Sequence, residues 1–171
     1  MDAFQAVRTV LAVRKYQEKP IPPEVVRKIV ESAWLTASSN NRQPWHFIVV
    51  DDRETLCEIG SLASTGHYIA EAPLAVAVII ENKSAESDAS RAIQSMVLTA
   101  WSEGVGSNWV GYYGLDAIKP ILGIPTRLEL FAIIPFGYPE AKLGLGKKNR
   151  KPFDEVISYG KYGAKLKRSL G

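Results

Sequence analysis

Between Pro73 and Glu81 the chain runs through seven apolar residues without interruption, from Leu74 to Ile80. The run is rich in Val and Ile and bounded by a proline and an acid, so it reads as a strand. Strand side chains alternate between two faces, and here neither face carries a polar residue for water. The strand must therefore sit inside a sheet with packing on both sides. It is far too short for a bilayer, which takes about 20 apolar residues of helix. A layered fold follows, with its sheet enclosed.

The flanking sequence supplies the layers. Asp2 caps a first helix whose apolar stripe is Phe4, Val7 and Leu11, with Ala3 and Val10 beside it. Arg14 to Lys19 reads as extended, because Pro20 disfavours helix before it. Pro22, Pro23 and Glu24 start a second helix that buries Val26, Ile29, Val30, Ala33 and Ala37 and stops at the polar stretch Ser38 to Gln43. His46 to Val50 is a strand, and Asp51 and Asp52 lead into a helix through Leu56 and Ile59. Asp88 caps a long helix with Ile93, Met96, Val97 and Ala100 on one side. Gly104, Gly106 and Gly111 interrupt the next region, which holds a short strand from Ser107 to Val110. A short helix spans Asp116 to Leu122, a last strand Leu130 to Ile134, and a final helical turn Phe153 to Ser158. Several connections are too short for regular parallel crossovers, so the expected class is α+β, one domain over residues 1–171.

Composition narrows the chemistry. Apolar residues make up 46% of 171, too many for a disordered chain. The first ten residues include Asp2 and no apolar stretch, so no secretory signal is expected. A single cysteine, Cys57, forbids an intrachain disulfide, and with helical apolar neighbours it is expected to be structural. Together these features imply a cytoplasmic, reducing setting. Two histidines, His46 and His67, show no metal-ligand spacing, and no nucleophilic triad is visible. Gly104-Val105-Gly106 follows a helix and lacks the third glycine of a dinucleotide fingerprint. A chain without its own nucleophile or metal borrows its chemistry from a cofactor if it is an enzyme.

Two polar segments suit a cofactor. Ser38 to Gln43 concentrates hydroxyls and amides between a helix and a strand. Amides donate and accept, which matches the edge of a heteroaromatic ring, although a helix end followed by a turn needs the same residues. The second segment is basic. From Lys147 onward eight Lys and Arg face only Asp154 and Glu155, whereas the preceding residues are net acidic and the whole chain is +3. Such a cluster is either a solvated tail or a local anion site. Few aromatics interleave with it, so nucleic acid is not an expected partner.

Taken in order, the motifs resemble those of the nitroreductase family. The series runs from Val13-Arg14-Lys15-Tyr16 through Lys19-Pro20-Ile21-Pro22 to Ser38-Ser39-Asn40-Asn41-Arg42-Gln43-Pro44-Trp45-His46-Phe47, the most specific piece. Ala72-Pro73 precedes the apolar strand, and Gly104-Val105-Gly106-Ser107-Asn108-Trp109-Val110-Gly111 follows. Leu122-Gly123-Ile124-Pro125, Phe136-Gly137-Tyr138-Pro139 and Arg150-Lys151-Pro152 close it.

The resemblance implies a three-layer sandwich with a mainly antiparallel sheet and helices on both faces, assembled as an intertwined homodimer. It implies FMN at the interface. Ser38, Ser39, Asn41 and Gln43 would contact the flavin and ribityl chain. Trp109, Gly111 and Tyr112 would line the ring, and Lys148 and Arg150 would hold the phosphate. Arg14 would be a cation near the pyrimidine end or the phosphate. NADH or NADPH would donate hydride in a ping-pong cycle to a nitroaromatic, quinone or similar small acceptor, with no protein side chain assigned as catalyst.

One departure concerns the phosphate. Where the family carries Arg-Arg-Ser, this chain has Val10, Leu11 and Ala12. Loss of a bidentate arginine costs about 1.5–3 kcal/mol, roughly ten- to a hundredfold in affinity. Either Arg8, Lys147, Lys148 and Arg150 compensate, or the homodimer binds flavin weakly or takes another ligand without catalysis.

Overall fold

The computed structural model describes residues 1–111, 114–141 and 148–165. The apolar run forms β2 (Leu74–Ile80), and all seven residues are buried. It pairs antiparallel with β1 (Trp45–Val50) and with β4 (Glu129–Gly137), and the two-residue β3 (Gly106–Ser107) lies on the far edge of β4. The order across the sheet is β1-β2-β4-β3.

Alternation along β2 divides the core. Leu74, Val76, Val78 and Ile80 meet Ile29 and Ala33 of α2 (Pro23–Trp34) and Ala89, Ile93, Met96 and Ala100 of α4 (Glu86–Ser102). Ala75, Ala77 and Ile79 face Leu56 and Ile59 of α3 (Arg53–Leu62), with Ile69, Leu115 and Ile118 from short 3₁₀ turns. Helices thus cover both faces of an antiparallel sheet, as the unbroken strand requires. Among the described residues no helix is long and apolar enough to cross a membrane.

The pairing of β2 with β4 shifts register between Val78 and Ile79, whose partners are Ala132 and Leu130. Phe131 is the extra residue of this bulge, so Phe131 and Ala132 pack on the same side. Bulges re-aim a side chain, and this one turns Phe131 toward the edge where Trp109 lies.

Local chemistry fixes the helix starts. The carboxylate of Asp52 accepts from Thr55 N at 2.8 Å and Thr55 Oγ1 at 2.7 Å, capping α3. The side-chain and then the backbone bond from Thr55 hold the Asp52 carboxyl below its ordinary value. Asp2 caps α1 (Ala3–Thr9) by accepting from Gln5 N at 2.8 Å.

Four expectations need correction. The stripe of α1 is shorter than expected, because the helix ends at Thr9, before Val10 and Leu11; of its residues Phe4 is 74% exposed and Val7 51%, and only Ala6 is buried. On α2 the fully buried residues are Val25, Ile29 and Ala33, spaced by one turn, while Val26 and Val30 flank the core. Ala37 lies beyond the end of α2 and is exposed. Asp88 does not cap α4, which begins two residues earlier at Glu86; it lies in the first turn, buried. Cys57 sits on α3 but is exposed, since the buried stripe there runs through Leu56, Ile59 and Gly60.

Candidate functional site

The edge of the sheet at β3 is completed by the segment after α1. Ala12 bridges Ser107 in parallel, and Val13 N donates to Ser107 O at 2.9 Å. This approach needs glycine at 106, because a Cβ there would stand 2.3 Å from Val13 Cγ2. Tyr16 pins the other end. Its hydroxyl donates to Val13 O at 2.8 Å, and its ring fills the space above Gly137, where a Cβ would lie 2.6 Å from Tyr16 Cδ1. Burial pushes the Tyr16 phenol far above its ordinary value, so it remains a donor. Trp101 Nε1 donates to Thr9 Oγ1 at 2.9 Å, fastening the end of α1 to α4.

These contacts place Val10, Leu11 and Ala12 on the wall of a cavity of about 460 Å³. Ile93, Gln94 and Val97 of α4 form a second wall, Ser107, Asn108 and Trp109 a third, and Lys148 and Arg150 supply the charge. The size lies within the range of small-molecule and cofactor sites, about 300–1,000 Å³. Lys148 Nζ donates to Val7 O at 2.7 Å, in the last turn of α1, where the helix dipole is negative. Desolvation and then the nearby Arg150 hold the Lys148 ammonium below its ordinary value, so an anion placed there is welcome to both cations.

The Trp109 ring stands edge-on to Phe131, with centroids 5.5 Å apart. Gly111 packs so closely under it that a Cβ would lie 2.4 Å from Trp109 Nε1. Asn108 Nδ2 donates to Tyr68 OH at 2.5 Å. Gly111 and Phe131 open on a second, larger cavity of about 750 Å³, whose wall includes Glu86, Lys119 and Arg127. The Trp109–Gly111 segment thus has a cavity on either side.

The expected site residues separate into groups. Trp109, Lys148 and Arg150 come together in the smaller cavity, and Gly111 borders the larger. Arg14 is exposed, facing away between the buried Val13 and Tyr16, and is not among the residues lining the cavity. Tyr112 and Lys147 lie outside the described residues. Ser38, Ser39, Asn41 and Gln43 form their own loop, which lines neither cavity. Gln43 N donates to Ser38 Oγ at 2.8 Å, and Asn40, Asn41 and Gln43 all have positive φ, at 52°, 54° and 51°. Non-glycine residues rarely hold that conformation without a built reason. Asn108, Gln94 and Val97 were not expected at the site; the helical position of Gln94 and Val97 beside Ile93 was the available signal. Among the described residues no group of acids, cysteines and histidines is arranged for a metal.

A three-layer α+β sheet with a cofactor-sized, cation-ended cavity at its edge defines a class of fold that comparison can name. The sequence pattern of the nitroreductase family matches residues 8–86 and 68–138. A Methanothermobacter thermautotrophicus protein, provisionally named an NADH dehydrogenase/NAD(P)H nitroreductase, is 34% identical over 154 residues, covering 84% of this chain and 81% of that protein. An FMN-dependent nitroreductase of Clostridium difficile superposes with a TM-score of 0.83 at 26% identity, over 93% of this chain and 99% of its own. A provisionally named nitroreductase of Desulfovibrio desulfuricans, solved in complex with FMN, gives 0.83 at 26% identity over 95% and 98%. The chain belongs to the nitroreductase family.

Proposed function

We propose that this chain is one subunit of a cytoplasmic, homodimeric FMN-dependent oxidoreductase that takes hydride from NADH or NADPH and reduces a nitroaromatic, quinone or similar small acceptor. The observation that carries this reading is the small cavity on the nitroreductase fold, with Lys148 and Arg150 beside Trp109 and an apolar wall. The residues fit FMN. The two cations meet a phosphate, and Trp109 with Gly111 offers a flat aromatic and backbone surface for a ring. When bound, FMN supplies hydride acceptance from the nicotinamide and electron delivery to the acceptor. The chain's own residues bind and orient: Lys148 and Arg150 neutralise the phosphate, and Ser38, Ser39, Asn41 and Gln43 present donors and acceptors to a ring edge and ribityl chain.

That amide loop lines neither cavity of its own subunit, so in this reading it serves the cavity of a second copy. Exposed apolar residues support assembly: Phe4 and Val7 on α1, Trp34 at 62% exposure, Leu35, and Phe153, Val156 and Tyr159 around α5 (Phe153–Val156). Equilibrium sedimentation is expected to give a dimer.

A second reading has its own observation. Val10, Leu11 and Ala12 line the cavity and offer no side chain to a phosphate. A homodimer that binds its ligand without turnover fits that wall. Titration with FMN, followed by its visible spectrum and by NADH and NADPH oxidation, separates the two. Micromolar or tighter binding with turnover is expected. Binding without turnover selects the second reading, and a colourless protein that oxidises neither nucleotide refutes the first.

A further inference from the structure

Asp88 is a carboxylate without a part in the reading above, and its surroundings are unusual. It lies in the first turn of α4 with 3% of its surface exposed. An acid serving only the helix dipole gains from that position while keeping its head in water. Asp88 points instead into the protein, at the start of the amide loop. Both carboxylate oxygens accept from Ser39 N at 3.2 Å, Oδ1 is 3.4 Å from Ser39 Oγ, and Arg91 closes the group with an ion pair. No buried side-chain nitrogen or oxygen is left without a partner among the described residues.

The loop needs such an anchor. Three of its residues hold positive φ without being glycine, and its inner bonds run only within itself, from Gln43 to Ser38 and from Gln43 Nε2 to Asn41 O at 3.1 Å. Bonds inside a loop fix its shape but not its place. On the side of α4 the link is Asp88 to Ser39. The neighbouring bond from Thr36 Oγ1 to Ser95 Oγ, 2.8 Å, holds the end of α2 to α4 but stops short of the loop.

We infer that Asp88, steadied by Arg91, is the positioning residue of the Ser38–Gln43 loop and thereby sets where its amides meet the flavin. This rests on the flavin reading for its last step. Asp88 touches no ligand; it acts through Ser39. A carboxylate suits the task better than an amide, since it accepts from the backbone N–H, the hydroxyl and the guanidinium at once.

The test compares Asp88→Ala, which removes the acceptor, with Asp88→Asn, which keeps one acceptor oxygen in nearly the same shape. Amide hydrogen exchange of the full chain without ligand is read first, and FMN titration with the visible circular dichroism of the bound flavin second. In Asp88→Ala, amides of residues 38–43 are expected to exchange at least tenfold faster while those of β2 keep their protection. FMN binding is expected to weaken at least tenfold, with an altered dichroism band. Asp88→Asn is expected to recover a large part of each change, and Asp88→Leu, which fills the space without an acceptor, is expected to recover none of it; recovery in Asp88→Leu overturns the inference in favour of packing alone. If Asp88→Ala does not fold, Asp88→Asn is judged on the same readings, with smaller changes of the same sign. Unchanged exchange in the loop, or equal acceleration throughout the molecule, overturns the inference. Wild-type affinity and dichroism in a variant whose loop has loosened also overturn it. A wild-type chain that takes up no FMN overturns the flavin reading instead, and loop exchange alone then supports or overturns Asp88 as the anchor.

Discussion

Replacing Gly106 by alanine tests the packing that builds the cavity. The new methyl would stand 2.3 Å from Val13 Cγ2 and 2.7 Å from Val13 Cβ, and Val13 is itself buried. Relief requires the 10–13 segment to move off β3. Overpacking of this kind costs about 1–3 kcal/mol. Stretching the 2.9 Å bond from Val13 N to Ser107 O adds about 1 kcal/mol. A total near 3 kcal/mol lowers the melting temperature by roughly 6–12 °C in a chain of this size. Val13→Ala alone removes two buried methyl groups and costs about 2 kcal/mol. The double variant places the new methyl partly in the space that Val13 vacates, so its loss is expected to fall well below the sum, with a coupling of about 1–3 kcal/mol. Rescue stays partial, because the Cβ of residue 13 remains. Urea unfolding of the four proteins measures this cycle. Additive losses, or a Gly106→Ala protein as stable as wild type, refute the claim that Val13 and Gly106 set the spacing of this edge. The same variant is expected to weaken FMN binding, since Val10 to Ala12 move with Val13.

Removing the Lys148 charge with Lys148→Met is expected to weaken FMN binding about ten- to a hundredfold, measured by titration at fixed salt. Because the Lys148 ammonium titrates below its ordinary value of 10.5, wild-type affinity is expected to fall as pH rises toward 10.5, and Lys148→Arg, which stays charged, is expected to flatten that fall. Tyr16→Phe deletes the donor to Val13 O and is expected to cost about 1 kcal/mol in urea unfolding. Asp52 carries a carboxyl held below its ordinary value of 3.8 in the folded chain, so its contribution is present above 3.8 and lost as pH falls through the folded value. Asp52→Asn is expected to make acid unfolding below pH 3.8 less steep, followed by circular dichroism.

What could be read from the sequence was what local pattern determines. Leu74 to Ile80 was legible as a doubly covered strand because burial on both faces leaves an unbroken apolar run. The starts of α2 at Pro23 and of the helix after Asp51 and Asp52 were legible because both depend on neighbours within three residues. The stripe on α1 was legible as a stripe, but periodicity reports that a face seeks cover, not what covers it. Asp88 was misread for a related reason. An acid near a helix start looks like a cap, and nothing nearby in sequence announces Ser39, 49 residues earlier, as its partner. Charge alone left the basic cluster open between a solvated tail and an anion site, and only the family resemblance favoured the second. That Lys148 would share a cavity with Val10 to Ala12 depends on the bridge from Ala12 to Ser107, a contact across more than half of the chain.

The bond from Lys148 to Val7 joins residues 141 positions apart, so the first helix and the segment at Lys148 meet at one wall of the cavity. A ligand seated there acts as a clasp. Its phosphate would hold Lys148 and Arg150 while its body lies against Val10, Leu11 and Trp109, tying the terminal segments to the sheet edge. Segments near chain ends open at lower free energy than a buried strand such as β2. Ligand at a hundred times its Kd adds about 2.7 kcal/mol to the closed state. Saturation is therefore expected to protect the segments around Val7–Ala12 and Lys148–Arg150 from proteolysis.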